Sequence, residues 1–143
     1  MEIEDIKFKA KRLDNGEWVE GYYIKKPSYH QTPKGDVVED GEDHLIFGMT
    51  KNDVQPLCYE VDPSTVCQFT GLKDYEGKEI FENDILKNFP MENEVVFRNG
   101  SFMIIEDYDD DINEVPLSEI IYEDGICILE KIGSKFDRKE GEK

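Results

Sequence analysis

The sequence predicts a mainly β protein built from short antiparallel strands. Three observations carry the prediction: short segments alternate apolar and polar side chains, Asn-Gly pairs punctuate them, and no stretch shows the long 3.6-residue stripe of an amphipathic helix. With 143 residues, 38% of them hydrophobic and including 8 Phe and 7 Tyr, the chain can bury a modest core. Six or more strands with turn signals between them argue for a sandwich or a small barrel.

The first segment, Ile6 to Leu13, places Ile6, Phe8 and Ala10 on one face and Lys7, Lys9 and Lys11 on the other, which reads as a half-buried strand with a solvated lysine face. Asp14-Asn15-Gly16 then turns the chain, because Asn and Gly both tolerate positive φ. Glu17 to Ile24 returns as the partner strand, where Trp18 and Tyr22 share a parity and are expected to cover the same core.

Residues 25–43 contain Pro27, Pro33, Gly35 and Gly41 and few apolar side chains, so they read as a long loop, with Val37 and Val38 offering at most a short strand. Tyr29 and His30 are its contact residues. His44 to Gly48 and Pro56 to Val61 read as short strands, and Asp62-Pro63 as the cap and first residue of a helical or 3-10 turn. Gly77 closes a turn before two extended segments, Lys78 to Phe81 and Ile85 to Phe89. Glu94 to Phe97 and Ser101 to Ile105 form a second hairpin, turned by Asn99-Gly100. The acidic run Glu106 to Asp111 interrupts the apolar pattern and reads as a solvated loop. Pro116 to Ile121 is expected as a short helix and Ile126 to Ile132 as a closing strand. Residues 134–143 are polar and expected to fray.

Composition excludes several function classes. The chain carries 34 acidic and 17 basic residues, a net charge of −17. Binding to nucleic acid or anionic lipid relies on clustered Lys and Arg, so neither partner is expected, and the field favours a basic protein instead. The acidic N-terminus has no apolar run behind it, and no segment approaches the length of a membrane span, so a cytoplasmic location is expected. Cys58, Cys67 and Cys127 form no closely spaced pair and are expected as lone buried thiols in a reducing compartment.

Residues 61–87 read VDPSTVCQFTGLKDYEGKEIFENDILK. This stretch resembles the signature of the YopX family, small proteins encoded by bacteriophages and prophages, which runs Val-Asp-Pro-x-Thr-Val, Gln-Phe-Thr-Gly-Leu-x-Asp, then Gly-x-Glu-Ile-Tyr-x-x-Asp-Ile. Phe81 stands where the family has tyrosine. The start, Lys7-Phe8-Lys9-Ala10 with Trp18 and Gly21, is similar to the family's first strand pair, whereas Ile120 to Gly125 departs from its Gly-Asn-Ile-Tyr motif. The resemblance implies a phage-derived cytoplasmic protein, mostly β, with an SH3-like barrel in its C-terminal part and no established activity. It divides the chain into an N-terminal β region (1–66) containing the loop 25–43, a barrel part (67–133) and a polar tail (134–143). The residues account for the signature without an enzyme: Gly71 and Gly77 permit turns, Phe69, Ile80, Phe81 and Ile85 supply core, and Asp84 caps backbone N–H groups.

No Gly-x-Ser-x-Gly elbow and no phosphate-binding glycine loop is present. The two histidines, His30 and His44, offer a base for Cys58 or Cys67, or a zinc set with both, but their spacings match no compact ligand pattern. Clustered Asp107, Asp109, Asp110 and Asp111 raise a Ca²⁺ or Mg²⁺ question but lack the EF-hand glycine. No catalytic residue, cofactor or metal ligand is therefore assigned.

The leading expectation is a non-enzymatic acidic interaction module acting on a basic host or phage protein, one form of which is DNA mimicry. Its candidate contacts are Glu106, Asp107, Asp109, Asp110 and Asp111, with Glu39, Asp40, Glu42 and Asp43. Two alternatives stay open. One is nucleic-acid binding through the SH3-like part with Lys7, Lys9, Lys11, Arg12, Lys25 and Lys26 as its basic resource, and the other is an enzyme with an unrecognised site. The sequence leaves the oligomeric state open, since strand edges favour association and the net charge opposes it.

Overall fold

A computed structural model describes residues 5–48, 57–88, 91–108, 111–120 and 126–137. By their internal contacts two units are distinguished, Lys7–Val66 and Cys67–Lys143 with Met1–Ile6.

In the first unit, β1 (Phe8–Lys11), β2 (Trp18–Gln31), β3 (Val37–Gly48) and β4 (Leu57–Glu60) pair antiparallel in that order. Beyond β4 the chain turns back to the end of β1. Arg12 bridges Val61, the Leu13 N–H donates to the Glu60 carbonyl (3.0 Å), and the Asp62 N–H donates to the Lys11 carbonyl (2.8 Å). Ala10, Ile46 and Val61 form the buried core, flanked by Phe8, Val19, Tyr23, Tyr59 and Val66. Ile6, expected on that face, is 46% exposed.

The expected loop over 25–43 is instead the outer part of a long hairpin between β2 and β3. Its turn is Thr32 to Gly35, where the Gly35 N–H donates to the Thr32 carbonyl (2.9 Å) and Gly35 takes φ +91°. Gly41, at φ +86°, supplies the extra residue of a bulge that lets two steps of β2 oppose three of β3 between Pro27 and Tyr29. Alternation failed to reveal these strands because both faces of the ribbon are largely exposed, so no buried face demands apolar residues. Cross-strand charge pairs line it instead.

Two further expectations on this unit change. Tyr22 is 48% exposed rather than part of the core. Lys9 is buried rather than solvated: its ammonium lies 4.6 Å from the centre of the Trp18 ring, with Lys11 at 5.3 Å over the same ring. The first Asn-Gly turn also differs from a two-residue hairpin. Only Gly16 has positive φ, the Gly16 N–H closes onto the Arg12 carbonyl (2.9 Å), and the Asn15 side chain accepts from the Glu17 N–H (2.9 Å).

The second unit contains β5 (Cys67–Asp74), β6 (Glu79–Phe81), β7 (Asp84–Asn88), β8 (Met91–Arg98), β9 (Ser101–Tyr108), β10 (Asp111–Pro116), β11 (Ile126–Cys127) and β12 (Glu130–Ser134). Five of these form an antiparallel sheet in the order β10-β9-β8-β7-β12, while β5 pairs antiparallel with β6 and parallel with β11. The core gathers Ile80, Leu86, Val95, Ile104, Leu117, Cys127 and Leu129. Asn99 (φ +54°) and Gly100 (φ +80°) make the primed turn that their sequence predicts between β8 and β9.

The mainly β class holds, but among the described residues the sheets are not closed into a barrel, which corrects the SH3-like barrel implied by the resemblance. Closure requires the end strands to pair, and here β10 and β12 terminate opposite ends of the five-stranded sheet. Of the acidic run, expected as a loop, Glu106 to Tyr108 lie in β9 and Asp111 begins β10, with Tyr108 opposite Asp111. The expected helix at 116–121 is a 3-10 segment, Leu117–Ile120, and the tail is ordered at its start: Ser134 is buried in β12 and the Lys135 N–H donates to the Asn83 carbonyl (2.9 Å).

Gly21 marks the tightest approach in the first unit. A Cβ there would meet the Phe47 carbonyl oxygen at 1.8 Å, and that oxygen belongs to the paired strand and cannot swing away. Gly21→Ala is expected to cost about 3 kcal/mol or more by forcing β2 from β3, read as a shift in the urea midpoint. Gly16→Ala, where no atom stands within 4 Å of the added Cβ but φ is +71°, is expected to cost about 1 kcal/mol.

Candidate functional site

Several polar residues that carry the family resemblance have structural partners. Asp62 caps the 3-10 turn Pro63–Thr65 by accepting from the Ser64 N–H (3.0 Å). Thr65 accepts from the Lys11 N–H (2.9 Å) and donates to the Asp62 carbonyl (2.7 Å). In the second unit, Thr70 donates to the Ile80 carbonyl (2.7 Å) and accepts from the Leu72 N–H (3.2 Å), spanning the β5 bulge at Gly71.

Asp74 and Asp84 are both buried, and Lys131 of β12 joins them. Asp74 accepts from the N–H groups of Glu76 (2.9 Å), Lys78 (2.8 Å) and Lys131 (3.0 Å). Burial raises the cost of ionising this carboxyl, but the three N–H donors outweigh that cost and hold it below the ordinary carboxylate range. Asp84 accepts from the Phe81 N–H (2.7 Å) across the Glu82-Asn83 turn, the capping role its sequence position suggests. The Lys131 ammonium stands 3.0 Å from Asp84, donates to the Glu79 carbonyl (2.7 Å), and lies 5.6 Å from the centre of the Phe81 ring. Lys131 escaped the sequence reading because a lysine in a closing strand looks like any solvated residue. Its one signal was its place, beside Glu130, in a closing strand whose other residues are apolar.

The predicted contact residues fall into two separate groups. Glu39, Asp40, Glu42 and Asp43 lie on the β3 arm of the ribbon, where Asp40 faces His30 (3.3 Å), Glu42 faces Lys25 (3.4 Å) and Asp43 faces Lys26 (3.8 Å). Glu106 and Asp107 lie at the end of β9 and Asp111 begins β10, while Asp109 and Asp110 fall outside the described residues. The charge is unevenly divided: residues 7–66 hold 8 basic and 11 acidic side chains, net −3, whereas residues 1–6 and 67–143 hold 9 and 23, net −14.

The basic residues considered for nucleic acid are engaged within the first unit. Arg12 bonds Asp14 (2.5 Å) and lies over the Tyr59 ring (4.4 Å), Lys7 faces Glu20 (4.0 Å), and Lys25 and Lys26 face the ribbon carboxylates. His44 accepts or shares a proton with the Tyr23 hydroxyl (2.5 Å) and stacks on that ring. Among the described residues no three His, Cys, Asp or Glu side chains converge as a metal site needs, and no helix is long and apolar enough to cross a membrane. Cys67 and Cys127 are buried, and burial pushes the Cys127 thiol up. Cys58, expected to be buried, is exposed.

One open cleft of about 490 Å³ lies in the first unit, lined by Arg12, Leu13, Asp14, Cys58, Tyr59 and Glu60. It forms where the β1–β2 turn leaves the edge of β4. The sequence reading missed it because its two walls are more than forty residues apart and no motif joins them.

A family model described as YopX protein matches residues 7–140. No curated protein and no solved structure matches the chain.

Lys131→Met is expected to destabilise by about 3 kcal/mol, because it leaves the Asp84 carboxylate buried without its cation. Adding Asp84→Asn to it is expected to cost less than the two single changes together, a non-additivity readable by urea denaturation. Asp74 has a depressed folded-state pKa, so its contribution is present above about pH 4 and is lost as pH falls through the folded value. Asp74→Asn is therefore expected to lower stability at pH 7 and to flatten the acid limb of a stability-against-pH curve.

Proposed function

The chain belongs to the YopX protein family, and from that premise we propose that it is a non-enzymatic, acidic interaction module. In this reading it is encoded by a bacteriophage or prophage and acts in the bacterial cytoplasm on a basic protein. The observation that carries the reading is the uneven charge: net −14 outside residues 7–66, with Glu106 and Asp107 closing β9 and Asp111 opening β10. Such a field steers cationic partners and raises their association rate. The signature carboxylates support the reading by elimination, since Asp62, Asp74 and Asp84 are each engaged in holding turns and strands.

The two predicted contact groups differ in what they can offer a partner. On the ribbon, Asp40, Glu42 and Asp43 already face His30, Lys25 and Lys26, so a cationic partner must compete with them. In this reading the main electrostatic contact is Glu106 to Asp111, five carboxylates in six residues. DNA mimicry is the sharpest form of the reading, with this run standing in for phosphates and the basic partner a nucleic-acid-binding protein.

Affinity capture with the tagged chain from bacterial lysate tests the reading. A basic protein is expected at about 0.1 M salt and is expected to fall away near 1 M, where the screening length drops from about 10 Å to about 3 Å. Replacing Glu106, Asp107 and Asp111 by their amides is expected to reduce recovery more than replacing Glu39, Glu42 and Asp43. Recovery that ignores both salt and these substitutions refutes the acidic module.

A further inference from the structure

Among the described residues, β4 ends its sheet and carries outward main-chain groups that β3 does not use. In an antiparallel ladder, alternate residues direct both N–H and C=O to the same side. The Val61 N–H donates inward to the His44 carbonyl (2.9 Å), and the Glu60 carbonyl accepts from outside, from the Leu13 N–H (3.0 Å). Cys58, two residues before Glu60, therefore points its N–H and C=O away from β3. The cleft lined by Arg12, Leu13, Asp14, Cys58, Tyr59 and Glu60 lies on this outer side. The bond from Leu13 to Glu60 starts a strand-like pairing, and the chain then leaves for the β1–β2 turn, so among the described residues no segment pairs with Cys58 on this side.

We propose that this cleft takes an extended, basic segment of a partner protein, which adds to β4 as a further strand. The inference rests on the acidic-module reading and names a docking point for it. Main-chain bonds to Cys58 supply the pairing, as in other strand additions. Charge selects the occupant: Arg12 is neutralised by Asp14 (2.5 Å), while the exposed Glu60 carboxylate has no ion-pair partner among the described residues. A Lys or Arg of the incoming segment meets Glu60, and exposed Leu13 (56%) and Leu57 (42%) give its apolar residues a surface. Arg12 laid over Tyr59 at 4.4 Å holds the wall in place. A second copy of this chain fits less well, because pairing β4 with β4 brings two chains of −17 together.

The test uses the full chain labelled with ¹⁵N and an acetylated, amidated peptide of alternating Val and Lys. Binding is expected to shift the Cys58, Glu60 and Leu13 amides and to slow hydrogen exchange at Cys58. Methylating the peptide nitrogens keeps its charge but removes its donors, and is expected to weaken binding about tenfold. Cys58→Pro, which deletes the outward N–H of an edge strand, is expected to weaken it similarly, whereas Cys58→Ser is expected to leave it unchanged. Equal affinity for the methylated peptide overturns the proposal even if Cys58→Pro fails to fold. Shifts confined to Glu106 to Asp111 overturn it while leaving the acidic module intact, and so does a peptide-independent dimer through β4. Absence of any peptide binding also overturns it, and the capture experiment then judges the broader reading separately.

Discussion

Lys131 makes three contacts that tie β12 to two turns of the second unit. Its main-chain N–H meets Asp74, its ammonium meets Asp84, and the same ammonium closes on the Glu79 carbonyl. A strand near the end of the chain thus fixes two turns that lie more than forty residues earlier. Neither carboxylate is affordable alone at that depth, because an unpaired buried charge costs several kcal/mol. The turn at Asp74 to Lys78, the turn at Phe81 to Asp84 and the seat of β12 on β7 therefore stand or fall together.

The same constraint gives the densely patterned signature segment a structural account. Asp62, Thr65, Thr70, Asp74 and Asp84 are held by backbone groups, and Phe69 packs against Phe81 with ring centres 5.3 Å apart. Asp74 spends most of its acceptor capacity on three N–H bonds. What the core does not use, among the described residues, is the unevenly placed charge and the edge of β4 beside Cys58.

The ribbon of β2 and β3 shows how a strand pair can persist beyond its core. Near its base Tyr23 and Ile46 face each other in the buried cluster, while farther out Lys25, Lys26 and His30 face Glu42, Asp43 and Asp40. Exposed pairs of this kind contribute at most about 1 kcal/mol each. Backbone pairing, the tight turn at Gly35 and the bulge at Gly41 supply the remaining order.

Much of the fold was legible where a local rule decides the outcome. The Asn99-Gly100 turn, the Asp62-Pro63 cap, the Asp84 cap and the alternating strand at Phe8 and Ala10 depend on neighbours within a few residues, so composition and spacing reveal them. The class, mainly β, follows from such segments, and so does the charge that shapes the proposed function. The ribbon over 25–43 was hidden because a strand exposed on both faces has no apolar period to read. Lys9 under Trp18, Lys131 between two aspartates, the open sheets and the cleft beside Cys58 were decided only by tertiary structure. Each depends on residues distant in sequence being brought together, and a side chain's solvation or a strand's free edge exists only once its neighbours in space are set.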